Sequence, residues 1–158
     1  MARSSDTARC HRDHMRAVVT LAARERLNRL ERVQIASEIV ATYCLARWWV
    51  LRLSFTEAVS AARDVQSPRS AFLSDAEVHS AGMRLGAAVQ RTLRMLPVDS
   101  RCLVTALVLT RMLARRGIAT TFVLGVRAQP RFAAHAWVER GRVALLPTAP
   151  EFQRLMEI

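Results

Sequence analysis

The sequence contains no lysine, and all 24 of its basic residues are arginine, against 13 aspartates and glutamates. The formal net charge is therefore +11, a field that attracts an acidic peptide, a nucleic acid or an anionic surface. Cysteine is also scarce, with three in 158 residues, which argues against a disulfide framework and fits a reducing compartment. The first 16 residues are polar and charged, unlike a signal peptide, so we expect a cytoplasmic protein.

Long apolar runs are missing as well. The longest, over residues 39–51, is broken by Arg47 and falls short of the roughly 18 residues that a membrane span needs. No glycine-rich phosphate loop, nucleotide motif or internal repeat is present. Half of the residues are nevertheless hydrophobic, which predicts one folded domain with a substantial core.

The N-terminal half reads as a tail followed by helices. Residues 1–14 are predicted to be a flexible tail; the spacing of Cys10 and His14 lacks a second ligand pair, so no metal site is expected. Residues 15–72 form the predicted N-terminal helical part: one bent helix or two over 15–47, a short helix after Ser54, and a linker over 65–72.

Two kinds of residue in this half could serve a partner or the core. The neighbouring Trp48 and Trp49, with arginines beside them, could stack on nucleic acid. Burial in the core or in a partner interface is the more common fate of tryptophan, and Cys44 is expected to be a small buried residue.

Residues 73–158 are predicted to be the catalytic core, in one compact unit with residues 15–72. A capping-box match at Ser74–Glu77 opens a helix that Pro97 ends, and Gly82 and Gly86, four positions apart, could permit close helix packing. A second helix runs from Cys102 to Gly117. Cys102 therefore falls in a first helical turn, where unpaired backbone N–H groups stabilise an anion such as a thiolate.

Strands follow this helix. Residues 119–126 are apolar and β-branched, and residues 132–139 alternate so that His135, Trp137 and Glu139 share one face. A tight hairpin at 140–141 leads to a strand over 143–146, and the tail suggests a turn and a short amphipathic end with Phe152, Leu155 and Ile158 docked on the core. A helix packed on this sheet would bring the Cys102 thiol towards the His135 imidazole, the pairing of a nucleophile with its base. From spacing alone, a packing cysteine beneath the sheet and a satisfied core histidine are the more common outcome.

The combination Cys-Leu…Arg-Arg-Gly-Ile…Leu-Gly-Val…Phe-Ala-Ala-His-Ala-Trp-Val-Glu resembles the transglutaminase-like cysteine protease of lasso-peptide biosynthesis, the leader-peptidase half of the B protein. The resemblance covers roughly residues 75–145. It implies an α+β fold with a papain/transglutaminase-like core, a helix carrying the cysteine on a small antiparallel sheet, preceded by N-terminal helices. It also implies that Cys102 is the nucleophile and His135 the general base and acid.

The sequence departs from this family at the acidic residue that would complete the catalytic triad. Such enzymes are expected to complete a Cys-His-Asp triad from the strand after the histidine, but residues 142–148 contain no carboxylate. Glu151 is a weak candidate for the third member; otherwise Thr148 or a backbone carbonyl orients the imidazole, or the site is a dyad. Trp137 would line the substrate groove or belong to the core.

The resemblance implies a leader peptidase acting on a lasso-peptide precursor, with no cofactor. Its partners would be the precursor peptide, a small separate leader-recognition protein and a lasso cyclase; nucleic acid is not expected. Two alternatives stay open: an arginine-rich peptide- or nucleic-acid-binding module with an inert Cys102, and a transglutaminase-type acyl transferase.

Overall fold

A computed structural model describes residues 29–64, 74–95, 102–148 and 151–158. The predicted tail over 1–14, the first part of the helical segment over 15–28, and the linker over 65–72 lie outside these residues, as do Pro97 and Arg101. The described residues form four helices and a four-stranded antiparallel sheet, an α+β fold. The helices are α1 (Arg29–Arg52), α2 (Phe55–Arg63), α3 (Asp75–Met95) and α4 (Cys102–Ala114); the strands are β1 (Thr121–Arg127), β2 (Ala133–Arg140), β3 (Val143–Ala144) and β4 (Gln153–Glu157).

Helix α4 is the centre of the compact unit formed by residues Ile35–Ile158. It packs on α2, on α3 and on β2, which explains why its sequence is apolar on nearly every side rather than along one stripe. Its buried residues are Val104, Ala106, Leu107, Val108, Leu109, Thr110, Met112 and Leu113. A helix held from several directions fixes the position of its first residue, Cys102.

The sheet has the strand order β3-β2-β1-β4, so β2 and β1 are its central strands. In the β1–β2 pairing, Gly125 lies opposite His135 and Val123 opposite Trp137. The hairpin between β2 and β3 turns at Gly141 and Arg142, whose φ angles of 56° and 64° are those of a two-residue turn that matches strand twist. The strand expected over 143–146 is shorter than predicted, because Leu145 and Leu146 bend away into the core.

The C-terminal segment differs from its prediction. It is a β-strand, β4, paired antiparallel with β1, and not a short amphipathic end. Phe152 and Ile158 do pack against the core, but Leu155 is 63% exposed. The expected trio had helical spacing, whereas a strand alternates every two residues, which turns position 155 outward.

Two arginines, Arg63 and Arg111, connect helix α2 to the sheet and to α4. The Arg63 guanidinium at the end of α2 donates to the backbone carbonyls of Thr120 and Ile158, and burial lowers its pKa. Arg111 donates to the carbonyl of Ala61, 2.8 Å away, and lies over the ring of Trp49. The α2 helix is thereby tied both to α4 and to the sheet.

The other predicted features of α1 divide between core and surface. Trp49 is buried, as expected for a core tryptophan, while Trp48 is 53% exposed. The prediction for Cys44 was wrong, since this cysteine lies on the exposed side of α1. Within the described part of the chain, no helix combines the length and apolar character that crossing a membrane requires.

The two glycines of α3 bring a loop close to that helix. A β-carbon at Gly86 would collide with the backbone carbonyl of Leu145, and one at Gly82 would lie 3.2 Å from the Leu145 side chain. The close approach expected at this glycine pair is present, but the nearest atoms at both glycines belong to Leu145 in the loop after β3 rather than to another helix. The residues that follow Leu145, among them Pro147, are held in position by this contact.

Candidate active site

Cys102 is the first residue of α4, and its free thiol is half-buried. The Sγ atom lies 3.9 Å from the backbone carbonyl oxygen of Ala134, the residue immediately before His135. The backbone N–H groups of the first turn of a helix have no partner within the helix, so they stabilise negative charge at this position.

His135, on the central strand β2, is half-buried and held by a backbone carbonyl. Its Nε2 lies 3.2 Å from the carbonyl oxygen of Pro147. A carbonyl oxygen only accepts hydrogen bonds, so Nε2 must carry the proton in the neutral ring, and Nδ1 is the nitrogen left with a free lone pair. The contact therefore selects the tautomer of the imidazole.

Cys102 and His135 line the same pocket, whose volume is about 200 Å³. Its apolar surface comes from the β2 residue Ala136 and from Leu93 and Leu146. Gln90 and Arg94, one helical turn apart on α3, add an amide and a positive charge. The described residues that line the pocket are Gln90, Leu93, Arg94, Cys102, Thr105, His135, Ala136, Leu146 and Pro147.

Two aromatic rings contact the imidazole. The Trp137 ring stacks on it with a centroid separation of 5.9 Å and an interplanar angle of 20°. The Phe152 ring lies on it at 5.2 Å with a tilt of 38°. The hydrogen bond to Pro147 and these two contacts restrict both the position and the tilt of His135.

Trp137 is a core residue rather than part of the pocket lining. Its side chain is 3% exposed, and its indole Nε1 donates to Oε1 of Glu139 at 2.7 Å. Two of its ring carbons occupy the space that a β-carbon at Gly125 would enter. The sequence left open whether Trp137 lines the substrate groove or belongs to the core; in the structure it belongs to the core.

Glu151, the weak candidate for the third catalytic residue, pairs with a different partner. Its Oε2 accepts a hydrogen bond from the Arg127 guanidinium at 2.8 Å, and that guanidinium also lies over the Phe152 ring. A fully charged arginine is a stronger partner for a carboxylate than a neutral imidazole. Among the described residues, the hydrogen-bond partner of His135 is the carbonyl of Pro147, one of the alternatives that the sequence left open.

Sequence reasoning missed the ion pair between Glu139 and Arg154. Glu139 is 4% exposed, and both of its carboxylate oxygens accept from the Arg154 guanidinium at 2.9 Å. A hydrogen bond to Glu157, and the charge of Glu139, raise the pKa of Arg154. No pattern in the sequence links Arg154 to β2, because the link depends on β4 being a strand beside β1.

A cysteine at the start of a buried helix and a histidine on the adjoining sheet, both lining one pocket, are the arrangement of proteins that transfer acyl groups through a thiol. Residues 39–157, most of the chain, match the family model described as the Transglutaminase-like superfamily, and the chain belongs to that superfamily. The matched region begins within α1 and therefore includes the helices before α4.

No curated protein and no solved structure matched the chain. Membership of the superfamily fits a cysteine peptidase or an acyltransferase, and the α+β fold and superfamily expected from the sequence are confirmed.

Proposed function

We propose that this protein is a cysteine peptidase that removes the leader peptide from a ribosomally synthesised lasso-peptide precursor. The observation that carries the proposal is the shared pocket of Cys102 and His135, in which the carbonyl of Pro147 leaves Nδ1 of the imidazole as the basic nitrogen. The sequence resemblance over residues 75–145 supports the narrower substrate class.

The first half of the reaction is acylation of the thiol. Nδ1 of His135 takes the proton of Cys102, and the thiolate attacks the carbonyl carbon of the scissile peptide bond. Backbone N–H groups in the first turn of α4 stabilise the oxyanion that forms. The carbon–nitrogen bond then breaks, His135 gives its proton to the leaving amine, and the leader remains as a thioester on Cys102.

The second half is hydrolysis of that thioester. His135, again neutral, takes a proton from water, the hydroxide attacks the thioester carbonyl, and the thiol leaves with the proton returned by the imidazole. The products are a leader with a free carboxylate and a core peptide with a free amine. That amine would be the substrate of a separate lasso cyclase, and a small leader-recognition protein would deliver the precursor.

The first test measures the reactivity of the thiol without any substrate. Iodoacetamide labels cysteines, and peptide mapping by mass spectrometry resolves the rate at Cys102 from the rate at Cys44, which is an internal control on α1. We expect His135→Asn to slow labelling of Cys102 at neutral pH by about tenfold or more, since the base is lost, with no change at Cys44. Glu151→Gln, the matched change at the weak candidate for the third member, whose carboxylate pairs with Arg127, should stay within about twofold of wild type.

The second test is cleavage itself. A lasso-peptide precursor and its recognition protein are incubated with wild type, Cys102→Ala or His135→Asn, with and without methylamine, and the masses of the products are measured. A single cut at the end of the leader, lost in both variants, is the expected result. A methylamide at the new carboxyl end would instead identify an acyl transferase. Equal labelling of Cys102 in wild type and His135→Asn, without cleavage, would overturn the proposal in favour of a binding module.

A further inference from the structure

The mechanism above leaves one buried charged group on the catalytic strand unused, the carboxylate of Glu139. We propose that Glu139 is a positioning residue for His135, and that it acts through the indole of Trp137. The inference rests on the proposed function, because it assigns Glu139 a role in keeping the imidazole ready to accept the proton of Cys102.

Glu139 is held in one place from two directions. The Arg154 guanidinium contacts both carboxylate oxygens from β4, and Trp137 donates to Oε1 from two residues earlier on β2. Because the carboxylate is 4% exposed, water cannot replace these partners without opening the structure. A buried carboxylate with charge-assisted hydrogen bonds is a rigid anchor.

Trp137 transmits this rigidity along the strand. Its Nε1–H points to Glu139 at one end, and its six-membered ring fills the space above Gly125 at the other. Gly125 is the β1 residue directly opposite His135, so the indole occupies the position beside the imidazole that a larger side chain on β1 would take. The hydrogen bond to Glu139 therefore fixes the plane of the indole against which His135 stacks.

The imidazole needs the support of the Trp137 ring because its only hydrogen bond within the described residues is the one from Nε2 to the carbonyl of Pro147. A ring held at one atom can still tilt about that bond. The 20° stack on Trp137 restrains this tilt, and the contact with Phe152 restrains it further. In this arrangement the line Arg154–Glu139–Trp137 supplies the orientation that a carboxylate bonded to the histidine supplies in other triads.

The experiment compares the pH profile of Cys102 labelling by iodoacetamide in wild type, Glu139→Gln and Glu139→Leu. The glutamine amide keeps an oxygen that accepts the Trp137 Nε1–H, whereas leucine fills the space without one. We expect Glu139→Leu to lower the rate at Cys102 about tenfold near neutral pH and to change the shape of the profile, and Glu139→Gln to restore the rate to within about threefold of wild type. Charged groups on the surrounding elements stay unchanged in these variants; they are Arg94, Arg127, Glu151, Arg154 and Glu157.

Two further variants keep the test informative if Glu139→Leu does not fold. Trp137→Phe keeps an aromatic side chain but removes the N–H donor and the part of the indole that lies against Gly125, so it should slow labelling in the same direction. Adding Glu139→Gln to Trp137→Phe should then produce little further loss, since Trp137→Phe has already removed the hydrogen bond through which residue 139 acts. Glu157→Gln removes the other carboxylate partner of Arg154 and should leave the profile unchanged.

The outcomes separate this inference from the proposed function. If His135→Asn changes the profile at Cys102 but folded Glu139→Leu and Trp137→Phe do not, the Arg154–Glu139 pair is a structural ion pair and the positioning role is rejected. If the pH profile of Cys102 labelling in His135→Asn is the same as in wild type, the proposed function is rejected, and the positioning role of Glu139 is rejected with it. Cys44, labelled in the same samples, must react at the same rate throughout.

Discussion

At His135 the hydrogen-bond acceptor is a neutral carbonyl where a carboxylate was expected. A carbonyl fixes which nitrogen carries the proton, as a carboxylate does, but adds no full negative charge to stabilise the imidazolium. Instead, the imidazole contacts the rings of Trp137 and Phe152, and aromatic rings attract a cation weakly. Orientation at this site thus depends on packing more than on a charged partner.

Arg94 gives the pocket a positive charge close to the thiol. We therefore expect Cys102 to favour anionic reagents, and Arg94→Gln to lower the ratio of its labelling rates with iodoacetate and iodoacetamide by about two- to fivefold. The two reagents deliver nearly the same group and differ in charge, so the ratio cancels changes in the thiol itself. Site-resolved mass spectrometry of the labelled protein gives both rates.

Arg91→Gln is the matched control for that prediction. Arg91 is exposed on the same helix, three residues earlier, and is not part of the pocket lining. A similar fall in the ratio for Arg91→Gln would mean that the general positive field of the protein, and not Arg94, attracts the anion.

Helix α3 controls the site from a distance through its contact with the loop after β3. The backbone of Leu145 lies against Gly86, and Pro147, two residues later, accepts from His135. The close approach of helix and loop therefore determines where the acceptor carbonyl sits. A substitution on α3, which carries neither Cys102 nor His135, should therefore alter the position of the His135 imidazole.

Gly86→Ala should both destabilise the protein and slow labelling of Cys102. Its β-carbon must displace the Leu145 carbonyl, a backbone clash that we expect to cost roughly 1–3 kcal/mol. Urea unfolding and the iodoacetamide rate measure the two effects. In Gly82→Ala the new methyl meets only the movable Leu145 side chain, and the gain in helix propensity of about 1 kcal/mol offsets the contact. Equal losses for the two variants would contradict this account.

The starts of α2 and α3 have the same capping box. Ser54 and Ser74 each donate a side-chain and a backbone hydrogen bond to a glutamate three residues later, and these bonds lower the pKa of Glu57 and of Glu77 below the ordinary 4.5. A carboxylate with a lowered pKa in the folded state stabilises it above about pH 4.5, and this contribution is lost as the pH falls through the lowered value.

The double variant Glu57→Gln/Glu77→Gln should therefore melt at a lower temperature than wild type at pH 7. The difference in Tm should shrink as the pH is lowered from 5 towards 3, because wild type loses the same interaction by protonation. Thermal unfolding followed by circular dichroism checks this. A Tm difference that is independent of pH would show that the carboxylates act only through packing or helix propensity.

The whole molecule carries a net charge of +11, and several of its few acidic residues are already engaged in ion pairs. Glu38 pairs with Arg116, Asp75 with Arg140, and Glu139 with Arg154. This excess of positive charge produces a field that speeds the approach of acidic peptides.

Added salt should accordingly lower kcat/KM for acidic substrates more than for neutral ones. For two versions of a cleaved precursor that differ only by Glu→Gln changes away from the scissile bond, kcat/KM of the acidic version should fall several-fold between about 0.05 and 0.5 M NaCl, as the Debye length shrinks. The neutral version should change less than about twofold. Equal salt dependence of the two versions would attribute the effect to the enzyme rather than to steering.

The sequence by itself determined the order of elements from α2 to β2 and both capping boxes, and it singled out Cys102 and His135 as the candidate catalytic pair. These features are local: the bonds of a cap span three residues, helical and strand periods are read over short windows, and the glycine pair on α3 signals close packing wherever the partner lies. The missing carboxylate after His135 was also visible in the sequence, as were its possible replacements.

Only the tertiary structure decided what holds His135. The acceptor is a main-chain carbonyl, which every residue has, so no sequence pattern could single out Pro147. Phe152 and Arg154 reach β2 because β4 pairs with β1, a contact between segments about 30 residues apart that local periodicity cannot register. The pairing of Glu151 with Arg127 has the same cause. These residues are far apart in sequence, and the fold decides which partner lies within reach of the Glu151 carboxylate.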